Sequence, residues 1–134
     1  ALNNSMDSSK ITKKLSEQQL KVLAEKGTEA PFSGEHLYRD EDGTYSCSAC
    51  GNELFSSHTK FEAHCGWPSF YDVASNQAVK LVEDNTHGMR RIEAVCSNCG
   101  GHLGHVFNDS PDQPTGLRYC INSLSIDFLP EKQA

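Results

Sequence analysis

Two C-x-x-C pairs, "CSAC" at 47–50 and "CSNC" at 96–99, constrain this chain more than any other feature. Each pair is half of a tetrahedral thiolate shell. Four thiolates satisfy one Zn2+ with no open position, so such a centre is structural rather than catalytic. Residues 51–95 separate the two knuckles, a longer span than a compact zinc ribbon uses, so the metal would staple together distant parts of the fold. The alternative is that one pair is a thioredoxin-like redox motif. Such a motif lies at a strand-to-helix junction, and neither pair here leads into a helical pattern. One structural zinc held by Cys47, Cys50, Cys96 and Cys99 is therefore expected. Cys65 and Cys120 remain as free thiols, which suits a reducing compartment. The cytoplasm is the expected location. An organelle reached by a removed transit sequence is also compatible, because the chain does not begin with Met.

The rest of the chain reads as a single small domain. Residues 1–10 are polar and expected to be disordered, leaving residues 11–134 as one domain of the 134. "SEQQLKVLAEKG" (16–27) predicts a short helix: Ser16 and Gln19 form a capping box, Leu20, Val22 and Leu23 are its apolar positions, and Gly27 suits its end. Helical periodicity then stops. Short apolar or alternating runs follow, "GTYSC", "ELF", "SFYDV", "AVKLV", "MRRIEAV", "GHVF", "LRYCINS" and "LSIDFL", separated by Gly, Asn, Asp and Pro. The expected class is mainly β, antiparallel, with one short N-terminal helix. "VEDNTHGM" (82–89) and "NDSPDQPTG" (108–116) predict loops, the second lying over the site to which Cys120 belongs. Each C-x-x-C is followed by Gly (Gly51, Gly100), so both knuckles should end in a tight turn that lets backbone N–H groups approach the thiolates. A net charge of −6 argues against nucleic acid as a partner. No apolar run is long enough to span a membrane.

The chemistry concentrates in three places. If "RYCIN" (118–122) is a strand, Arg118, Cys120 and Asn122 share one face. Arg118 would then stabilise a Cys120 thiolate, and Asn122 would hydrogen-bond the sulfur or a substrate. An inert buried cysteine is the plain alternative, but an arginine on the same face is a poor neighbour for an apolar core. "GHLGHVFND" (101–109) places His102 and His105 three residues apart. With the metal shell full, they are free to donate protons or hydrogen bonds near Cys120 rather than serve as further ligands or surface residues. "HCGWPSF" (64–70) presents the only Trp, Trp67, on a Gly-Trp-Pro turn beside Cys65. There it can wall a small apolar group or simply plug the core.

"EKGTEAPFSGE", the two C-x-x-C pairs, "CGWPSF", "CSNCGGHLGHVFND" and "RYCINS", in this order, resemble the methionine sulfoxide reductase B family over residues 11–129, in its zinc-containing form. The resemblance implies two antiparallel β-sheets stapled by the zinc. It implies reduction of the R epimer of methionine sulfoxide, free or in proteins, with thioredoxin as reductant, and a monomer is expected. By position Cys120 matches the nucleophile and Cys65 the resolving cysteine. His102, His105, Arg118 and Asn122 match the residues around them, and Trp67, Phe107 and Asp109 match substrate-binding positions. "LSID" departs from the family's commoner small-residue run and bears on local packing.

The chemistry so implied is coherent. A sulfoxide sulfur is electrophilic once its oxygen is protonated. Cys120 attacks it, methionine leaves, and the resulting sulfenic acid condenses with Cys65. His105 is favoured over His102 as the acid. The gap between Cys65 and Cys120 is expected to be long at rest and to close after oxidation. A zinc-ribbon binding module and a general thiol–disulfide oxidoreductase are the rival readings.

Overall fold

The computed structural model describes residues 6–85 and 88–131. Among these described residues there are one α-helix, α1 (Glu17–Leu23), short 3-10 turns, and nine strands. These are β1 (Gly43–Cys47), β2 (Glu53–Ser56), β3 (Lys60–Phe61), β4 (Ser69–Phe70), β5 (Val79–Asp84), β6 (Arg91–Cys96), β7 (His102–Phe107), β8 (Arg118–Ile121) and β9 (Ile126–Pro130). They form two sheets, one ordered β2-β1-β9 and the other β3-β4-β8-β7-β6-β5. Every pairing described is antiparallel. The mainly β class with a short N-terminal helix is as expected. Among the described residues no helix is long and apolar enough to cross a membrane.

The helix starts where its cap predicts. The Gln19 N–H donates to Ser16 Oγ at 3.1 Å and the Ser16 N–H to Gln19 Oε1 at 2.9 Å, the reciprocal pair of a capping box. It ends earlier than the sequence pattern suggests. The Gly27 N–H still reaches back to the Lys21 carbonyl at 3.0 Å, but the left-handed residue is Lys26 (φ 60°), not Gly27. Val22 and Leu23 are buried while Leu20 is 40% exposed, because so short a helix docks through its last turn only. Of the N-terminal ten residues, 1–5 lie outside the described ones. The Asp7 N–H donates to the Cys99 carbonyl at 2.6 Å, Ser8–Lys10 form a 3-10 turn, and Met6 packs against the core.

The core lies between the sheets. Tyr45 and Phe55 of the smaller sheet meet Phe70 and Tyr119 of the larger; Phe55 and Phe70 stack with centroids 4.4 Å apart. Strand alternation then decides everything else about the site. In β8, Tyr119 and Ile121 point into this core, so Arg118 and Cys120 stand on the opposite, outer face of the larger sheet.

Three local expectations differ. "SFYDV" pairs only over Ser69–Phe70, and the short β3 beside it carried no readable pattern. Val82–Asp84, read as loop, extend β5 because Asp84 pairs with Arg91. Residues 86–87 of that loop lie outside the described ones.

Candidate active site

Register assembles the site. Ser69 on β4 pairs with Cys120 on β8, Cys120 with His105 on β7, and His105 with Glu93 on β6, so these four form one row on the outer face. In the next row Phe107 pairs with Arg118, whose guanidinium carbon sits 4.5 Å over the Phe107 ring. These six side chains come from four strands, β4, β6, β7 and β8.

The two free thiols meet here. Cys65 Sγ lies 3.7 Å from Cys120 Sγ and 3.3 Å from Ser69 Oγ, with no disulfide formed. The expected long gap is absent: the Gly-Trp-Pro loop already holds Cys65 against its partner. Two thiols this close share ionisation. The hydrogen bond from Cys120 draws Cys65 down to about 5, against burial and with help from Ser69 and Arg118. That same bond and burial push Cys120 up, against the pull of Arg118. One thiolate is thus shared across the pair, and Arg118 favours it on either sulfur. Arg118 is itself clamped by Asp109, at 3.1 Å from Nε and 2.9 Å from Nη2, which keeps it firmly protonated.

A strap from the N-terminal segment sets the loop. Trp67 Nε1 donates to the Glu29 carbonyl at 3.0 Å, and the Phe32 N–H donates to the Gly66 carbonyl at 2.7 Å. Gly66 adopts φ +94°, and a Cβ there would come within 2.7 Å of Pro31 Cβ, so only glycine lets the strap cross so closely. Asn122 ties the strap to the sheet: its Oδ1 accepts from the Glu29 N–H at 3.1 Å and its Nδ2 donates to the Leu103 carbonyl at 3.0 Å. Both functions of its amide are thus engaged in holding the walls.

The result is a cavity of about 240 Å3 with Cys65 and Cys120 in its lining. Trp67, Phe107 and Gly104 give it an apolar side; His105, Arg118 and Asn122 give it a polar one. Thr28 and Arg91 also line it and were not anticipated.

The two histidines reach the same side of β7 through a β-bulge. The pairing slips between Ala94 and Val95, making Leu103 the extra residue; it turns into the core while His102 and His105 stand with rings 5.4 Å apart. Only His105 lines the cavity. Its Nε2 meets Asp84 at 2.8 Å, and burial holds its pKa below the ordinary value despite that carboxylate. His102 sits behind it, fully buried, with Nδ1 2.7 Å from Glu93. Lys26 reaches the other Glu93 oxygen at 3.1 Å. Burial alone would raise Glu93, but these two partners outweigh it and hold the carboxyl below its usual range.

Of the residues predicted for the site, the cavity brings together Cys120, Cys65, Trp67, His105, Phe107, Arg118 and Asn122. It does not reach His102 or Asp109, which stand one shell back, against Glu93 and Arg118 respectively. Asp84, Arg91, Glu93 and Glu29 were missed. Their only sequence signal is alternation along β6 (Arg91, Glu93) in phase with β7, which is readable only once the register is known.

The four knuckle cysteines form a separate cluster. Their sulfurs all lie within 4.8 Å of one another, with Cys47–Cys99 at 3.7 Å and Cys50–Cys96 at 3.6 Å. A tetrahedral ion with metal–sulfur bonds of about 2.3 Å needs sulfurs about 3.8 Å apart. The set therefore fits a metal ion. Both knuckles are built alike: the Gly51 N–H donates to the Cys47 carbonyl at 2.9 Å and the Gly100 N–H to the Cys96 carbonyl at 2.8 Å, at φ +82° and +78°.

A thiol pair at the foot of a half-apolar cavity, beside a clamped cation and an imidazole, is suited to thiol redox chemistry on a small polar group carrying an apolar substituent. Comparison with known proteins agrees. The SelR domain model matches residues 15–130. The peptide methionine sulfoxide reductase MsrB of Methanosarcina mazei is 61% identical over 118 residues, covering 88% of this chain and 84% of that protein. The protein of the same name from Methanosarcina barkeri is 60% identical over 121 residues, covering 90% and 84%. That from Leptospira interrogans is 56% identical over 120 residues, covering 89% and 90%. The chain, with its free thiol pair in the cavity and its four-cysteine cluster, belongs to the SelR domain family, that of the methionine sulfoxide reductases MsrB.

Proposed function

We propose that the protein is a peptide-methionine (R)-S-oxide reductase, acting on free or protein-bound methionine sulfoxide. The observation that carries the reading is the pair of free thiols 3.7 Å apart at one cavity. The sulfoxide methyl group packs against Trp67 and Phe107. Its oxygen points to His105 and Arg118, which place a donor and a fixed positive charge where negative charge develops. Cys120 attacks the sulfur as its thiolate, which Arg118 favours, His105 hands a proton to the oxygen, and the oxygen ends on Cys120. Methionine leaves with its thioether restored and Cys120 remains as a sulfenic acid. Cys65 then attacks that sulfur, expelling water and forming the disulfide. Thioredoxin supplies two thiols, returning both cysteines to the reduced state. His105, not His102, serves as the acid, because only His105 faces the cavity.

The knuckle cysteines hold one zinc ion, which carries no chemistry of its own here. Its thiolate shell is closed and therefore structural. The protein works as a monomer in a reducing compartment, the cytoplasm being the simplest.

The test is turnover of separated sulfoxide epimers. One fixed methyl pocket and one fixed oxygen donor present a single configuration of sulfur to Cys120. The R epimer should be consumed and the S epimer should be almost inert. Equal rates, or no methionine from either, would remove this reading.

A further inference from the structure

Cys65 borders two separate hollows. One is the sulfoxide cavity. The other, a groove of about 390 Å3, has Phe61, Ala63 and Cys65 on one wall and Asp109, Asp112 and Gln113 on the other. Cys65 and Arg118 line both hollows, whereas Cys120 lines only the first. The second wall is the Pro-rich loop 108–116, which the sequence placed over the Cys120 site. It stands instead beside the groove, held by a bond from the Ser110 N–H to the Gly116 carbonyl at 3.2 Å. Apart from Cys65, Arg118 and its clamp Asp109, no residue of this groove takes part in the reduction of the sulfoxide.

We infer that the groove is the docking site of the protein dithiol that regenerates the enzyme, an inference that rests on the reductase reading. A thiolate attacking a disulfide displaces the far sulfur along the S–S axis, so it must approach its target from the side opposite the leaving group. Of the two hollows at Cys65, the groove is the one that Cys120 does not line, and so the one that offers a face of Cys65 away from the leaving sulfur. A thiol entering by the sulfoxide cavity would instead meet both sulfurs at once, in the space the product has to leave. The step balances. The partner's thiolate bonds to Cys65 Sγ, the Cys65–Cys120 bond breaks, and its electron pair departs on Cys120 beside Arg118. The partner's second thiol then displaces Cys65, leaving the partner oxidised and both cysteines reduced.

The groove also describes its occupant. Its carboxylates are Glu62, Asp109 and Asp112; Arg118 answers Asp109, and His64 Nδ1 lies 3.5 Å from Glu62. At neutral pH acid exceeds base there. A slim loop presenting a cysteine with a basic residue at its flank fits it, and association should weaken as salt rises.

The test starts from enzyme whose 65–120 disulfide has been made with a chemical oxidant, so it needs no sulfoxide. Thioredoxin is the probe. Ala63→Trp, which fills the groove, should cut the rate of disulfide reduction by thioredoxin at least tenfold, and Asp112→Lys should lower it and flatten its salt dependence. Dithiothreitol should still reduce both variants, and both should still form one methionine per chain from the R sulfoxide in a single turnover. Thioredoxin lacking its second cysteine should be trapped on Cys65. Wild-type reduction rates in both variants, or trapping on Cys120, would overturn the assignment. Loss of the single turnover in the wild type would strike the reductase reading and leave this outcome readable on its own.

Discussion

Cys120 and Cys65 differ in what surrounds them, and the difference predicts how each responds to loss of the other. Cys120 is raised chiefly by the neighbouring sulfur, while Arg118 pulls it down. In Cys65→Ser the first influence disappears and the second stays, so the alkylation rate of Cys120 should rise at lower pH than in the wild type. The sulfoxide step should survive, giving one methionine per chain, while cycling with thioredoxin fails. An alkylation profile of Cys120 shifted to higher pH would contradict this balance of charges. Cys120→Ser should fold and keep its metal yet lose all turnover, a serine hydroxyl being far less acidic than a thiol. His105→Ala should slow the sulfoxide step by roughly 10²-fold or more while barely changing alkylation, since only the former needs an acid at oxygen. His102→Ala should act more weakly and on stability as well, because it strips a buried Glu93 of one partner. If both substitutions slow the two reactions equally, neither histidine acts as a proton donor.

At the scale of elements, the strap 28–34 and helix α1 place the loop that carries Trp67 and Cys65. Leu23, 1% exposed, closes α1 onto the second knuckle, where a Cβ on Gly101 would come within 2.8 Å of it. Leu23→Ala should cost about 2–5 kcal/mol, and Ser16→Ala about 1 kcal/mol through loss of the cap, both measured by denaturant unfolding. Trp67→Phe keeps the apolar wall but removes the donor to the Glu29 carbonyl. It should raise KM more than it lowers kcat, because the strap and loop are then no longer tied. An unchanged KM would mean that the loop is held by the Phe32–Gly66 bond alone.

For the whole molecule the four-cysteine cluster joins the turn after β1 to the turn after β6, one from each sheet. Metal bound there resists separation of the sheets themselves. Elemental analysis should find about one zinc per chain. Cys96→Ser should lose metal and melting temperature together, and chelation of the wild type should do the same. Structural zinc contributes about 10–16 kcal/mol in zinc-finger peptides. A domain with its own aromatic core should depend on it less, so a partly folded, metal-free state is the expected product. Full thermal stability in verified metal-free protein would mean that the cluster is not structural.

Much of this was legible in the sequence because it is local. The C-x-x-C-G spacing determines a knuckle whatever surrounds it, Ser16 and Gln19 determine where α1 begins, and strand alternation puts Arg118 and Cys120 on one face. The relations across strands were not legible. That His102 and His105 share a face depends on a bulge at Leu103, and alternation alone would have separated them. That Arg91 lines the cavity and Asp84 and Glu93 stand behind it depends on the register of β5, β6 and β7, which hydrogen bonds between distant segments decide. The contact between Cys65 and Cys120 depends on a strap crossing at Gly66. Sequence carries the chemistry available to each residue and the periodicity of each short element. Which residues meet, and how their charges are then shared, is set by pairings between segments far apart in the chain, and only the folded structure contains these.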